Sequence, residues 1–126
     1  MTTKQIIKKQ EKRIKNVSFL KTLKKEIPLV GMGATQSVGS DSYPFTIVEV
    51  GESIEYIVIQ QDDAKPTDIH DYYGKQDYTY HANPNAKKEK LTLRKNGYYV
   101  AEGELISRYF RRLLVGTKRK YSDPSF

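Results

Sequence analysis

The hydrophobic pattern changes period once, at Pro28, and this change limits the chain to a leading helix followed by a β-rich body. Before Pro28, Ile6, Ile7, Ile14 and Val17 lie mostly three, four or seven residues apart, one narrow apolar stripe on a basic helix. Thr2 and Gln5 have the spacing of a capping box, in which each side chain satisfies an orphaned amide of the first turn. Asn16–Ser18 is expected to interrupt the helix, with Ser18 capping a second stretch that carries Phe19, Leu20, Leu23 and Ile27. Pro28 is expected to end it, because its ring cannot continue the hydrogen-bond ladder. A helix this polar does not fold alone. It has to dock on its own sheet or on another subunit.

After Pro28 the runs are β-branched. Gly31–Ser37 is small, permissive backbone, and Gly39–Pro44 is turn-like. Phe45–Val50 and Ile54–Gln60 read as strands around a hairpin at Gly51-Glu52. Asp62–Lys75 is an acidic connection, and Gln76–Ala82 is a short strand with Tyr78 and Tyr80 on one face. Asn83-Pro84-Asn85 is a turn. Leu91–Lys95 and Tyr98–Glu102 flank Asn96-Gly97, a hairpin signal in which both turn positions are expected at positive φ. A strand or short helix is expected within Leu105–Val115 and an edge strand over Lys118–Tyr121. Five or six short strands behind a helix predict a mainly β, α+β fold: a small bent antiparallel sheet or partly open barrel. Residues 1–27 form a basic helical extension and residues 28–126 a β-rich ligand-binding domain.

A chain of 126 residues has room for one core. With 37% hydrophobic residues, including Phe, Tyr, Ile, Leu and Val in quantity, it is not disordered throughout. No apolar run approaches the length of a membrane span, and the N-terminus is too charged for a secretory signal. There is no Cys, which excludes disulfides, thiolate metal sites and thiol catalysis, and fits a reducing compartment. His70 and His81 are scattered. Asp62, Asp63, Asp68 and Asp71 beside His70 lack the alternating ligands and central Gly of a calcium loop, and read as a solvated surface loop. Walker, zincin, nucleophile-elbow and dinucleotide motifs are missing. The chain is expected not to be an enzyme, with no catalytic residue, metal or cofactor.

Charge is segregated. Residues 1–26 carry nine basic and two acidic side chains, residues 27–77 two basic and nine acidic, and residues 78–126 eleven basic and four acidic. Such polarity favours anionic ligands or self-association between unlike segments. The basic helix is either a solvated face or an anion contact.

Binding is the better use of these residues. Ten Tyr and no Trp supply flat stacking faces with hydroxyls. Tyr78, Tyr80 and Asn83, then Arg94, Lys95 and Tyr98, place rings beside cations in a way that suits a base and its phosphates. Backbone amides of Gly33, Ala34 and Thr35 are further candidates for phosphate contact. Arg108, Arg111, Arg112, Lys118, Arg119 and Lys120 form a second basic cluster, of which Arg108 and Arg119 are taken as ligand contacts. The same tyrosines also suit plain cross-strand pairs on a half-buried sheet.

Several strings occur together in one order: Met32-Gly-Ala-Thr35, Gly39-Ser-Asp-Ser-Tyr-Pro-Phe-Thr-Ile-Val-Glu-Val50, Asn83-Pro84, Leu91-Thr-Leu-Arg-Lys-Asn-Gly97 and Tyr121-Ser-Asp-Pro-Ser-Phe126. In these the chain resembles a family of short phage-encoded proteins, the anti-Thoeris sponges. The resemblance covers residues 32 to 126 and leaves the basic segment outside. It implies a protein that binds and sequesters cyclic ADP-ribose isomers made by bacterial TIR-domain sensors. It also implies, for some members, cyclic oligonucleotides of CBASS immunity at separate sites in a hexamer built from dimers. The expected setting is the cytoplasm of an infected bacterial host, as a homo-oligomer holding a cyclic nucleotide without cleaving it. The alternative expectation is a small nucleic-acid-binding or host-takeover module that uses the basic patches on phosphates.

Overall fold

The computed structural model describes residues 3–38, 41–70, 76–105 and 112–116. Among these residues one helix, α1 (Thr3–Thr22), precedes eight strands: β1 (Gly33–Val38), β2 (Asp41–Val50), β3 (Tyr56–Gln61), β4 (Asp63–His70), β5 (Gln76–His81), β6 (Lys88–Leu93), β7 (Tyr99–Ala101) and β8 (Arg112–Val115). Six of them form one antiparallel sheet in the order β7-β6-β3-β2-β1-β8. Its outer strands, β7 and β8, return to within 8 Å of each other between Cα atoms, so the sheet curls almost into a barrel. β4 and β5 pair separately as a two-stranded arm. The expected mainly β architecture is therefore present, with more strands than the sequence suggests.

Alternation fills the barrel. Ala34, Phe45, Ile47, Ile57, Ile59, Leu91, Tyr99 and Leu113 are buried together, and register places them side by side on one face: Ala34 beside Phe45, Ile47 beside Ile59, Ile57 beside Leu91. A bulge between Ile47 and Glu49 bends β2, as closure requires. Leu20, at the last turn of α1, is 1% exposed and completes this core.

Four local expectations are corrected. α1 runs unbroken through Asn16–Ser18. The Asn16 side chain leaves the helix backbone alone and donates to the Ser53 carbonyl (2.9 Å) on the β2–β3 loop. The helix stops before Pro28, in a Schellman cap: Lys24 takes φ 57°, its amide bonds the Lys21 carbonyl, and the Lys25 amide bonds Leu20. Gly33–Val38 is an internal strand, and Pro44, expected in a turn, lies within β2 opposite Thr35. Its carbonyl still accepts from the Asp62 amide (2.9 Å), and its missing N–H falls where β3 ends. Lastly, Asp62–Lys75 begins as structure. Asp62 is 5% exposed and accepts from Thr46 Oγ1 (2.6 Å), and Asp63–His70 is β4. Lys118–Tyr121 and most of Leu105–Val115 lie outside the described residues.

The turns hold up better. The Asn83 side chain accepts from the Asn85 amide (3.0 Å), and the Ala86 amide closes onto the Asn83 carbonyl. At Asn96-Gly97 the hairpin forms with only Gly97 at positive φ (83°). The Gly97 amide bonds Arg94 and the Asn96 side chain accepts from the Tyr98 amide (3.0 Å), so a wider turn with a glycine bulge replaces the two-residue one.

Candidate functional site

The two ends of the barrel differ. At one end the loop 51–55 and the last turn of α1 plug the interior with Ile54 and Leu20, both at most 1% exposed. Arg13 donates to the Glu52 carbonyl (3.1 Å), Lys9 pairs with Glu52 (2.9 Å) and the Tyr99 hydroxyl donates to the Ile54 carbonyl (2.6 Å), tying helix, loop and sheet together. Within the loop the Ser53 hydroxyl and amide both donate to Glu55. Burial pushes the Glu55 carboxyl up, but these bonds and the charge of Lys12 outweigh it and leave it below the usual range.

The other end is open. There the inward row changes from aliphatic to polar and aromatic: Gln36 of β1, Tyr43 and Phe45 of β2 and Gln61 of β3. They line a cleft of about 750 Å³ whose rim carries Lys87, Lys88, Glu89, Glu102 and Glu104. The turn after β5 forms part of this wall. Gln60 Nε2 holds that turn by donating to the carbonyls of Pro84 (3.1 Å) and Ala86 (2.8 Å). The arm springs from the same end, since β4 starts two residues after Gln61 and β5 ends five residues before Ala86.

The residues expected to form one site are divided between these ends. Tyr78 and Tyr80 are half-buried on β5, opposite Pro66 and Ala64 near the root of the arm. Asn83 is turned back to the arm, where Nδ2 donates to Asp63 (3.3 Å). Arg94, Lys95 and Tyr98 belong to the opposite, plugged end. Arg94 does not present a free fork: Nε donates to Thr92 Oγ1 (2.8 Å) and Nη2 to the Ala101 carbonyl (3.1 Å). Tyr98 stacks under Lys25, whose Nζ lies 3.4 Å from the ring centroid, with the Arg112 guanidinium 6.0 Å away. Gly33, Ala34 and Thr35, expected as phosphate contacts, lie on an internal strand whose amides face ladders with β2 and β8. Arg108 and Arg119 lie outside the described residues.

The sequence reading missed Gln36, Tyr43, Phe45 and Gln61. The signal was present in Tyr43-x-Phe45-x-Ile47, an alternation that places two rings and a core aliphatic on one face. Pro44 in its middle disguised it as a turn. Among the described residues no His, Asp and Glu group is arranged to hold a metal ion, and no helix is long and apolar enough to cross a membrane. No known protein family, curated protein or solved structure matches the chain.

Proposed function

We propose that the chain is an anti-defence sponge, which takes a cyclic nucleotide signal into the open end of its barrel and holds it unaltered. The observation that supports this most is the cleft itself. Its volume of about 750 Å³ falls in the range of small-molecule sites. Barrel mouths are common places for such sites. Tyr43 offers a stacking face over the buried Phe45 and Gln36, Gln61 offers an amide that pairs with a base edge, and Lys87 and Lys88 stand at the rim for phosphates. Glu89 and Glu104 accept from ribose hydroxyls in this arrangement. Tyr80, at the root of the neighbouring arm, belongs to the same end.

Calorimetry with cyclic ADP-ribose isomers and cyclic oligonucleotides tests the reading. One of them is expected to bind, and mass spectrometry after heat release is expected to return it at its original mass. Tyr43→Ala removes a stacking ring and is expected to weaken binding about tenfold to a hundredfold, corresponding to roughly 1–3 kcal/mol. A cleaved product, or unchanged affinity in Tyr43→Ala, overturns the reading. Light scattering is expected to give a mass above the 14.6 kDa monomer, as a homo-oligomeric sponge in an infected cell requires.

A further inference from the structure

α1 carries seven basic side chains against the single acid Glu11, and residues 3–15 are all exposed. Only one edge of it is engaged: Lys9 and Arg13 reach Glu52, and Asn16 reaches Ser53. Beside that edge Lys4, Lys8, Lys12 and Lys15 follow at spacings of four, four and three, one stripe along the helix. Lys12 lends its charge to Glu55, whereas Lys4, Lys8 and Lys15 make no ion pair among the described residues. The cap then sets Lys24 and Lys25 against the β6–β7 turn. A side chain added at Gly97 would meet Leu23 and Lys25 there, and Lys25 is engaged over the Tyr98 ring.

The stripe from Lys4 to Lys15 is about 17 Å long, so it faces about five base pairs of a duplex, more than one small nucleotide. The same helix of a second copy is a poor occupant, since two such helices side by side set like charges together. A bilayer is no better, since Ile6, Ile7 and Ile14 are the only large apolar side chains exposed on this stretch and no aromatic anchors them. We infer that the lysine stripe of α1 docks on the phosphate backbone of a nucleic acid, without reading its bases. The reading is independent of the cleft at the other end of the barrel.

Fluorescence anisotropy with a fluorescein-labelled DNA duplex of about 20 base pairs, from roughly 50 to 300 mM salt, tests it. The full chain is expected to bind at low salt, with log affinity falling against log salt at a slope of about −3 to −4, as four neutralised phosphates require. Lys4→Glu, Lys8→Glu and Lys15→Glu together are expected to weaken binding at least tenfold, with the helical circular dichroism unchanged. The single change Lys8→Gln is expected to reduce the slope by about one. Tyr43→Ala in the cleft is expected to bind the duplex like the parent. No binding at low salt, a slope near zero, or equal binding by the triple variant overturns the inference. Association with phosphatidylserine vesicles in preference to the duplex overturns it in favour of a membrane.

Discussion

Ile54 occupies the left-handed region (φ 55°), unusual for a β-branched residue, and its side chain is fully buried. Such backbone persists only where its surroundings over-determine it. Here the Ile54 amide bonds the Gly51 carbonyl (2.9 Å), and the Tyr99 hydroxyl holds the Ile54 carbonyl. Tyr99→Phe removes that donor and leaves a buried carbonyl unmatched, so it is expected to cost about 1–3 kcal/mol in urea unfolding. Burial first, and the Glu55 charge second, push the Tyr99 hydroxyl well above its ordinary pKa. The sign follows. A group whose pKa is raised by folding stabilises fully below its unfolded value, so this contribution fades only as pH climbs past about 10. Stability of the parent is expected to fall more steeply above that pH than stability of Tyr99→Phe.

Along α1 the two halves do different work. Propensity and capping make the helix, but only its last turns reach the core, where Leu20 is 1% exposed while Ile14 is 66% exposed. Leu20→Ala is expected to cost about 2–4 kcal/mol by thermal or chemical denaturation, because a cavity opens among Ile54, Tyr99 and Leu113. Ile14→Ala is expected to stay within about 0.5 kcal/mol of the parent, as surface changes usually do. An equal loss from both would mean that the first turns of α1 are packed as tightly as the last. The Asn16 and Arg13 contacts to loop 51–55 fix one edge of the helix on the barrel and leave the lysine stripe exposed beside it.

At the scale of the whole molecule, cooperativity is divided between barrel and arm. β2 and β3 each have a strand on both sides and share a buried aliphatic core, whereas among the described residues β4 and β5 pair only with one another. A two-stranded ribbon is marginal in water. Hydrogen exchange is therefore expected to be faster in residues 63–66 and 78–81 than in residues 45–50 and 57–60, by at least tenfold in protection. Equal protection would show that the arm folds as one unit with the barrel. Polarity is divided along the barrel as well, with a plugged, basic end at α1 and an open, mixed-charge end at the cleft.

Local chemistry was legible where neighbours in the chain decide the outcome. The change of period at Pro28, the Asn83-Pro84-Asn85 turn, the hairpin at Gly97 and the aliphatic alternation of β3 all follow from steric preference and from side chains two residues apart. They were enough for a helix ahead of a curved, mainly β sheet. The candidate site was not legible, because a site is made by neighbours that only pairing brings together. Gln36 meets Tyr43, and Phe45 meets Gln61, across ladders that connect residues on different strands. Gly33–Val38 looks like loop until strands on both sides claim its amides, and Pro44 looks like a turn until β3 ends beside it. Closure of the barrel then decided which end is open. That parted Arg94, Lys95 and Tyr98 from Tyr78 and Tyr80, because adjacent hairpins turn at opposite ends of a sheet.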